Sequence, residues 1–146
     1  MAPITPAYTA IGCNRFSNVS SPSPSGTVAF GAGHTVALWD DDRGVHQTLV
    51  AHTAEVSCVK FVDGVDAFVS GDEEGVVKVW MRVGEAYEVG HSVRAHTASV
   101  SALGGVVTEG GVLVLTGGSD AVVHVYQWTT DGRKAGRTSP LPPSLS

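Results

Sequence analysis

Several short stretches hold residue types that could do chemistry. Gly31-Ala32-Gly33 opens like a dinucleotide fingerprint, in which glycines let the backbone approach a pyrophosphate at a helix N-terminus. The third glycine position holds Val36, and the chain runs on through β-branched and apolar residues to Trp39, so a strand turn is expected there. Gly117-Gly118-Ser119-Asp120-Ala121 approaches a nucleophile elbow but ends in Ala and leads into a strand pattern where a hydrolase would place a helix, which makes Ser119 a turn residue. The acidic runs Asp40-Asp41-Asp42 and Asp72-Glu73-Glu74 could hold a cation or a basic partner, yet neither has the distal Glu of an EF-hand loop. They are expected to be solvated turns. Arg133, Lys134 and Arg137 could touch an anion, and read equally as a solubilising end.

Metal and redox chemistry find little support. Cys13 and Cys58 stand far apart with no CxxC pair and no nearby His/Cys cluster, which argues against a zinc site and against a disulfide framework. No metal ligand set is assigned and no cofactor is expected. With 9 Lys+Arg against 14 Asp+Glu, the net charge of −5 offers no basic surface for counterion release, so direct nucleic-acid binding is not expected. Neither a basic leader with an apolar core nor a run long enough to span a bilayer appears, so no membrane contact is expected and a soluble, reducing, intracellular setting is. Asn18-Val19-Ser20 matches a glycosylation sequon and is read as a chance tripeptide.

The elements that would position these residues are strands. The 146 residues suffice for one ordinary domain, and 42% hydrophobic content puts the chain in the globular range. Val-rich runs bounded by Gly, Asp and Ser recur every ten residues or so, the pattern of an all-β protein. Strands are expected at 27–30, 35–39, 45–50, 56–62, 67–70, 76–80, 87–93, 100–106, 112–116 and 122–126. Residues 20–26 form a Ser/Pro loop, and the Gly/Ser/Pro-rich stretch 131–146 reads as a disordered tail.

Internal repetition selects among the β architectures. Ala51-His52-Thr53-Ala54-Glu55-Val56-Ser57 returns as Ala95-His96-Thr97-Ala98-Ser99-Val100-Ser101, with His52 and His96 44 residues apart. Val69-Ser70-Gly71-Asp72 returns as Leu115-Thr116-Gly117-Gly118, and Val77-Lys78-Val79-Trp80 as Val123-His124-Val125-Tyr126. A less complete copy ends at Trp39, 41 residues before Trp80. These spacings fit the ~40–45 residues of a four-stranded propeller blade.

The recurring Ala-His, the Ser/Thr-Gly before a tight acidic turn and the Trp or Tyr closing a strand resemble WD40 repeats. The resemblance implies a partial β-propeller of about three four-stranded blades, at about 16–50, 51–94 and 95–130 within a repeat region 26–130, after an N-terminal segment 1–25. It also implies two structural tetrads: His52, Ser70, Glu74 and Trp80, then His96, Thr116, Asp120 and Tyr126. Glu74 where the family has Asp, and Tyr126 where it has Trp, are departures. The last blade is expected to lack its outer strand. Loops at the narrow face of such rings bind partners, and Glu55, Asp72 and Ser99 are expected to lie near it.

Upstream, Gly12-Cys13-Asn14-Arg15-Phe16 followed by Ala29-Phe30-Gly31-Ala32-Gly33 resembles the opening of the first propeller in the Elongator complex protein 2 family. That resemblance implies a fragment or truncated form of a double-propeller, non-catalytic scaffold. Its partners would be the large scaffold subunit and the catalytic acetyltransferase/radical-SAM subunit of the complex that modifies wobble uridines of tRNA. The complex is also linked to transcription elongation and histone acetylation. Such a scaffold would be cytoplasmic, with the nucleus as a second compartment. The alternative is a generic WD40 peptide-binding adaptor of another multiprotein complex. An enzyme built on a propeller, the third possibility, would need convergent carboxylates or metal ligands.

Overall fold

A computed structural model describes Pro6, residues 13–128 and residues 139–140. Three four-stranded antiparallel sheets succeed one another along the chain. The first contains β1 (Ser20–Pro22), β2 (Val28–Ala32), β3 (Thr35–Asp40) and β4 (Gly44–Val50), paired in chain order. The second contains β5 (Val56–Phe61), β6 (Ala67–Asp72), β7 (Val76–Val83) and β8 (Ala86–Arg94), again in chain order. The third contains β9 (Val100–Thr108), β10 (Gly111–Gly118), β11 (Val123–Trp128) and β12 (Ser139–Pro140). The chain is therefore all-β, and each sheet is one propeller blade. Among the described residues, no helix is long and apolar enough to cross a membrane.

The ten expected strands occur with boundaries shifted by a few residues, because period-two alternation in a Val-rich run leaves little choice of local structure. Two strands carry no such signal. β1 lies in the stretch read as an exposed Ser/Pro loop: Pro22 ends it at a sheet edge, and buried Ser21 accepts the Phe61 amide at 3.0 Å through Oγ. The third blade was expected to lack its outer strand, yet β12 pairs with β11, Gln127 facing Ser139 and Tyr126 facing Pro140. The rest of the tail expected over 131–146 lies outside the described residues.

Each sheet is apolar on both faces, so the core lies between blades rather than within one. Between the first and second, Ala29, Val36 and Leu38 meet Phe61, Phe68, Trp80 and Tyr87. Phe68 stacks on Trp80 at 5.8 Å and meets Tyr87 edge-on at 5.1 Å. Between the second and third, Val69, Val77 and Val79 meet Val100, Val112, Val114, Tyr126 and Trp128. All six residues of β6 are buried, as expected for a strand covered on both sides.

Two glycines at equivalent places in the first and second blades allow a close approach of the next blade. A Cβ on Gly31 would sit 2.9 Å from Val56 of the next blade, and one on Gly71 would sit 2.6 Å from Val100. Gly117 stands at the same place in the third blade, opposite Val123 as Gly71 is opposite Val77. There a Cβ would meet only Ala102 and its carbonyl, at 3.6 Å and 4.0 Å, within its own sheet.

The N-terminal segment ties the blades together by backbone recognition. The Asn14 amide donates to the carbonyls of Gly33 (2.8 Å) and Val56 (2.9 Å), and its oxygen accepts the Gly33 amide at 2.7 Å. Asn18 reaches on to the third blade, donating to the Ser101 carbonyl at 2.9 Å.

Gly71→Ala should destabilise the chain by about 1–3 kcal/mol through overpacking at the blade junction. Gly117→Ala should change stability by less than about 0.5 kcal/mol. Urea unfolding midpoints of the two variants measure the difference.

Candidate functional site

The repeated histidines lie where each blade begins. Ala51-His52 and Ala95-His96 lead into β5 and β9, and the preceding blade holds both turns by its backbone. The His34 carbonyl accepts the amides of Ala51 and His52 at 3.1 and 3.0 Å, and the Gly75 carbonyl accepts those of Ala95 and His96 at 3.0 and 3.2 Å. A Cβ on Gly75, whose φ is 91°, would fall 2.0 Å from the His96 carbonyl oxygen, so only glycine fits this turn.

In the second blade His52 closes a relay of buried groups. Its Nε2 lies 2.7 Å from Ser70 Oγ, its Nδ1 lies 2.8 Å from Asp72 Oδ2, and Trp80 Nε1 donates to Ser70 Oγ at 2.9 Å. One assignment of protons satisfies every member. The indole N–H donates to the serine, the serine hydroxyl donates to Nε2, and Nδ1–H donates to the carboxylate. This requires a neutral imidazole. Burial lowers the His52 pKa, more than the Asp72 charge and its hydrogen bond raise it, in keeping with that state.

The carboxylate expected in this relay was Glu74, and the structure corrects that to Asp72. Asp72 is 1% exposed, and its second oxygen accepts the amides of Glu74 (2.8 Å) and Val76 (3.1 Å), closing the tight turn. Glu74 is exposed. The same burial removes Asp72 from the surface residues expected to face a partner.

The third blade reaches the same end from a different position. His96 Nε2 lies 2.9 Å from Thr116 Oγ1, and Nδ1 lies 3.1 Å from Asp120 Oδ1. Asp120 also accepts the amides of Thr97 (3.0 Å) and Val122 (3.2 Å), and the Thr97 amide contributes most to holding its pKa below the ordinary value. The acid stands two residues past the hydroxyl in one blade and four past it in the other. Gly118 explains the exchange: a Cβ there would lie 2.5 Å from His96 Nδ1 and 2.7 Å from Asp120 Oδ1. The space that the Asp72 side chain fills is thus left open for Asp120. Tyr126 makes no hydrogen bond to Thr116 among the described residues; it is buried, with its ring 5.7 Å from His124.

The Ser70–His52–Asp72 geometry is that of a hydrolytic triad, and burial decides against that use. Ser70 and Thr116 are 0% exposed, and Ser70 Oγ already accepts an indole N–H, so no substrate carbonyl can reach either hydroxyl. Cys58 is similarly inert, its pKa pushed up to about 12 by burial. Among the described residues no cluster of three His, Cys, Asp or Glu could hold a metal ion. One accessible cavity, of about 300 Å³, lies between the N-terminal segment and the last two blades, where Ser99 joins Ser57, Glu73, Ser101 and Ser119. Glu55, at the turn before β5, is exposed.

Comparisons with known proteins agree with this architecture. The family described as WD domain, G-beta repeat matches residues 44–81. Elongator complex protein 2 of Saccharomyces cerevisiae is 46% identical over 82 residues, which is 53% of this chain and 10% of that protein. Elongator complex protein 2 of Drosophila melanogaster is 27% identical over 125 residues, covering 82% of this chain and 16% of that protein. The chain thus spans between a tenth and a sixth of the length of these relatives. The crystal structure of RRP9 WD40 repeats superposes with a TM-score of 0.63 at 21% identity, over 84% of this chain and 35% of that one.

Asp72→Ala should cost about 1.5–3 kcal/mol, the value of a hydrogen bond to a charged group, whereas Glu74→Ala should stay within about 0.5 kcal/mol. Denaturant midpoints separate the two. Because the folded pKa of His52 lies below the ordinary 6.5, the folded state resists protonation that the unfolded chain accepts. Stability should be full above that value and fall as pH drops below it toward the folded pKa. Unfolding free energies at about pH 7.5 and about pH 5.5 should show a smaller difference in His52→Asn than in the parent.

Residues 44–81 of this chain match a WD40 repeat, and two curated proteins to which the chain is similar are named Elongator complex protein 2.

Proposed function

We propose that the chain acts as a non-catalytic scaffold of the Elongator type, supporting assembly of the complex that modifies wobble uridines of tRNA. The observation that carries this reading is the likeness to the yeast relative over more than half of the chain. The sealed hydroxyls of Ser70 and Thr116 support a rigid rather than a reactive role. In this reading the partners are the large scaffold subunit and the catalytic acetyltransferase/radical-SAM subunit. The work is done in the cytoplasm, with a link to transcription elongation and histone acetylation in the nucleus.

A second reading, a peptide-binding adaptor in another multiprotein complex, is favoured by the cavity beside Ser99. Its wall combines serine hydroxyls with the Glu73 carboxylate, chemistry suited to a basic side chain.

Affinity capture of the tagged protein from its source cells, with mass spectrometry of what copurifies, tests both. Recovery of the large and catalytic Elongator subunits is expected, together with a fall in modified wobble uridines when the gene is deleted. Capture of ubiquitin-ligase or chromatin components, with tRNA nucleosides unchanged, would favour the adaptor.

A further inference from the structure

The cavity between the N-terminal segment and the last two blades is built from equivalent positions of those blades. Ser57 and Ser101 are repeats of each other, as are Glu55 and Ser99. The Glu73 amide donates to the Glu55 carbonyl at 3.0 Å and the Ser119 amide to the Ser99 carbonyl at 2.8 Å, so Glu73 and Ser119 also stand at matching places. On one shared framework, the second blade contributes a carboxylate where the third contributes a hydroxyl.

Much of the wall is already spent as a donor. Ser57 Oγ donates to the Val100 carbonyl at 2.6 Å, Ser101 Oγ to the Gly117 carbonyl at 3.2 Å, and the Asn18 side-chain amide to the Ser101 carbonyl at 2.9 Å. A hydroxyl has a single hydrogen, so both of these serine oxygens keep only lone pairs for a ligand, and the Asn18 side-chain oxygen is likewise an acceptor. Glu73 adds a carboxylate, and none of the residues lining the cavity is basic. A ligand that satisfies this wall must bring several donors and a positive charge. Phe16, partly buried against the core of the first two blades, adds an aromatic ring to the same lining.

We propose that this cavity takes the guanidinium of an arginine side chain presented by a segment of a partner protein. A guanidinium carries five donors in one plane, enough to meet acceptors on two blades at once, and its flat face stacks on an aromatic ring. An ammonium has three donors and no such face. The volume, about 300 Å³, is at the small end of ligand cavities and suits one side chain. Every group involved lies within residues 16–119. Such binding deepens the adaptor reading and rests on that use of the cavity, whereas the scaffold reading stands without it.

Titration of the isotope-labelled full chain with N-acetyl-arginine N-methylamide, followed by backbone amide chemical shifts, tests this. The amides of Glu73, Ser101 and Ser119 should shift and saturate. The lysine counterpart should bind about tenfold more weakly, and the citrulline counterpart, which keeps the shape without the charge, should leave those amides unmoved. Glu73→Gln should weaken binding of the arginine probe about tenfold. Glu74→Gln removes an exposed carboxylate of the same turn that does not line the cavity, and should change the affinity by less than about twofold. Unmoved amides, a citrulline probe that binds equally, a lysine probe that binds as tightly, or equal losses in the two glutamate variants would overturn the arginine assignment. Affinity capture reports separately: an adaptor partner recovered while the arginine probe shifts nothing would keep the adaptor reading and remove this occupant alone.

Discussion

No sheet in this protein can bury its apolar surface by itself. Each of the three is hydrophobic on both faces, so the favourable transfer of side chains from water is realised only where one blade lies on the next. That requirement explains features that look unrelated one at a time. It explains why β6 is buried at every position, why Phe68 and Trp80 stack on one side while Val69 and Val79 pack on the other, and why glycine stands at 31 and 71, where a neighbouring valine comes too close for a side chain. The polar relays are secondary to this packing. They satisfy groups that stacking would otherwise leave stranded: an indole N–H, a hydroxyl, an imidazole and a carboxylate.

Much of the fold was legible because the strands of the middle blades alternate in a regular period and return at a constant spacing. Val77-Lys78-Val79 and Val123-His124-Val125 declare themselves by pattern alone. β1 and β12 do not, because a strand of two or three residues containing proline has no period to read; pairing with a neighbour creates it. The site was partly legible for the same reason. His52, Ser70 and Trp80 stand in register and were readable by repetition. The acid was not, because Asp72-Glu73-Glu74 offers carboxylates at two spacings and equivalence with Asp120 favours the wrong one. The distinguishing signal was Gly118, whose missing side chain in one blade matches the added carboxylate in the other. Asn14 gave no chemical signal at all; its role is to recognise backbone, and any exposed asparagine looks the same in a sequence.

Repetition also separates what the blades share from what they do not. The histidine turn, the hydroxyl and the acid recur, so their roles belong to the architecture. The cavity beside Ser99 takes part of its wall from outside the blades, from Phe16, Ser17 and Asn18 of the N-terminal segment. Specific recognition can be placed there at little structural cost, on side chains that no relay uses.

The asparagine contacts of the N-terminal segment carry a consequence for the order of folding. Asn14 is held by Val56, 42 residues later, and Asn18 by Ser101, 83 residues later. Closing such long loops is slow compared with forming the adjacent hairpins. On a ribosome, the part of the chain made first is therefore among the last to find its place, waiting until the strands of the second and third blades have emerged. The segment that staples the stack thus acts as its final latch, engaged only after the blades it joins are already in place.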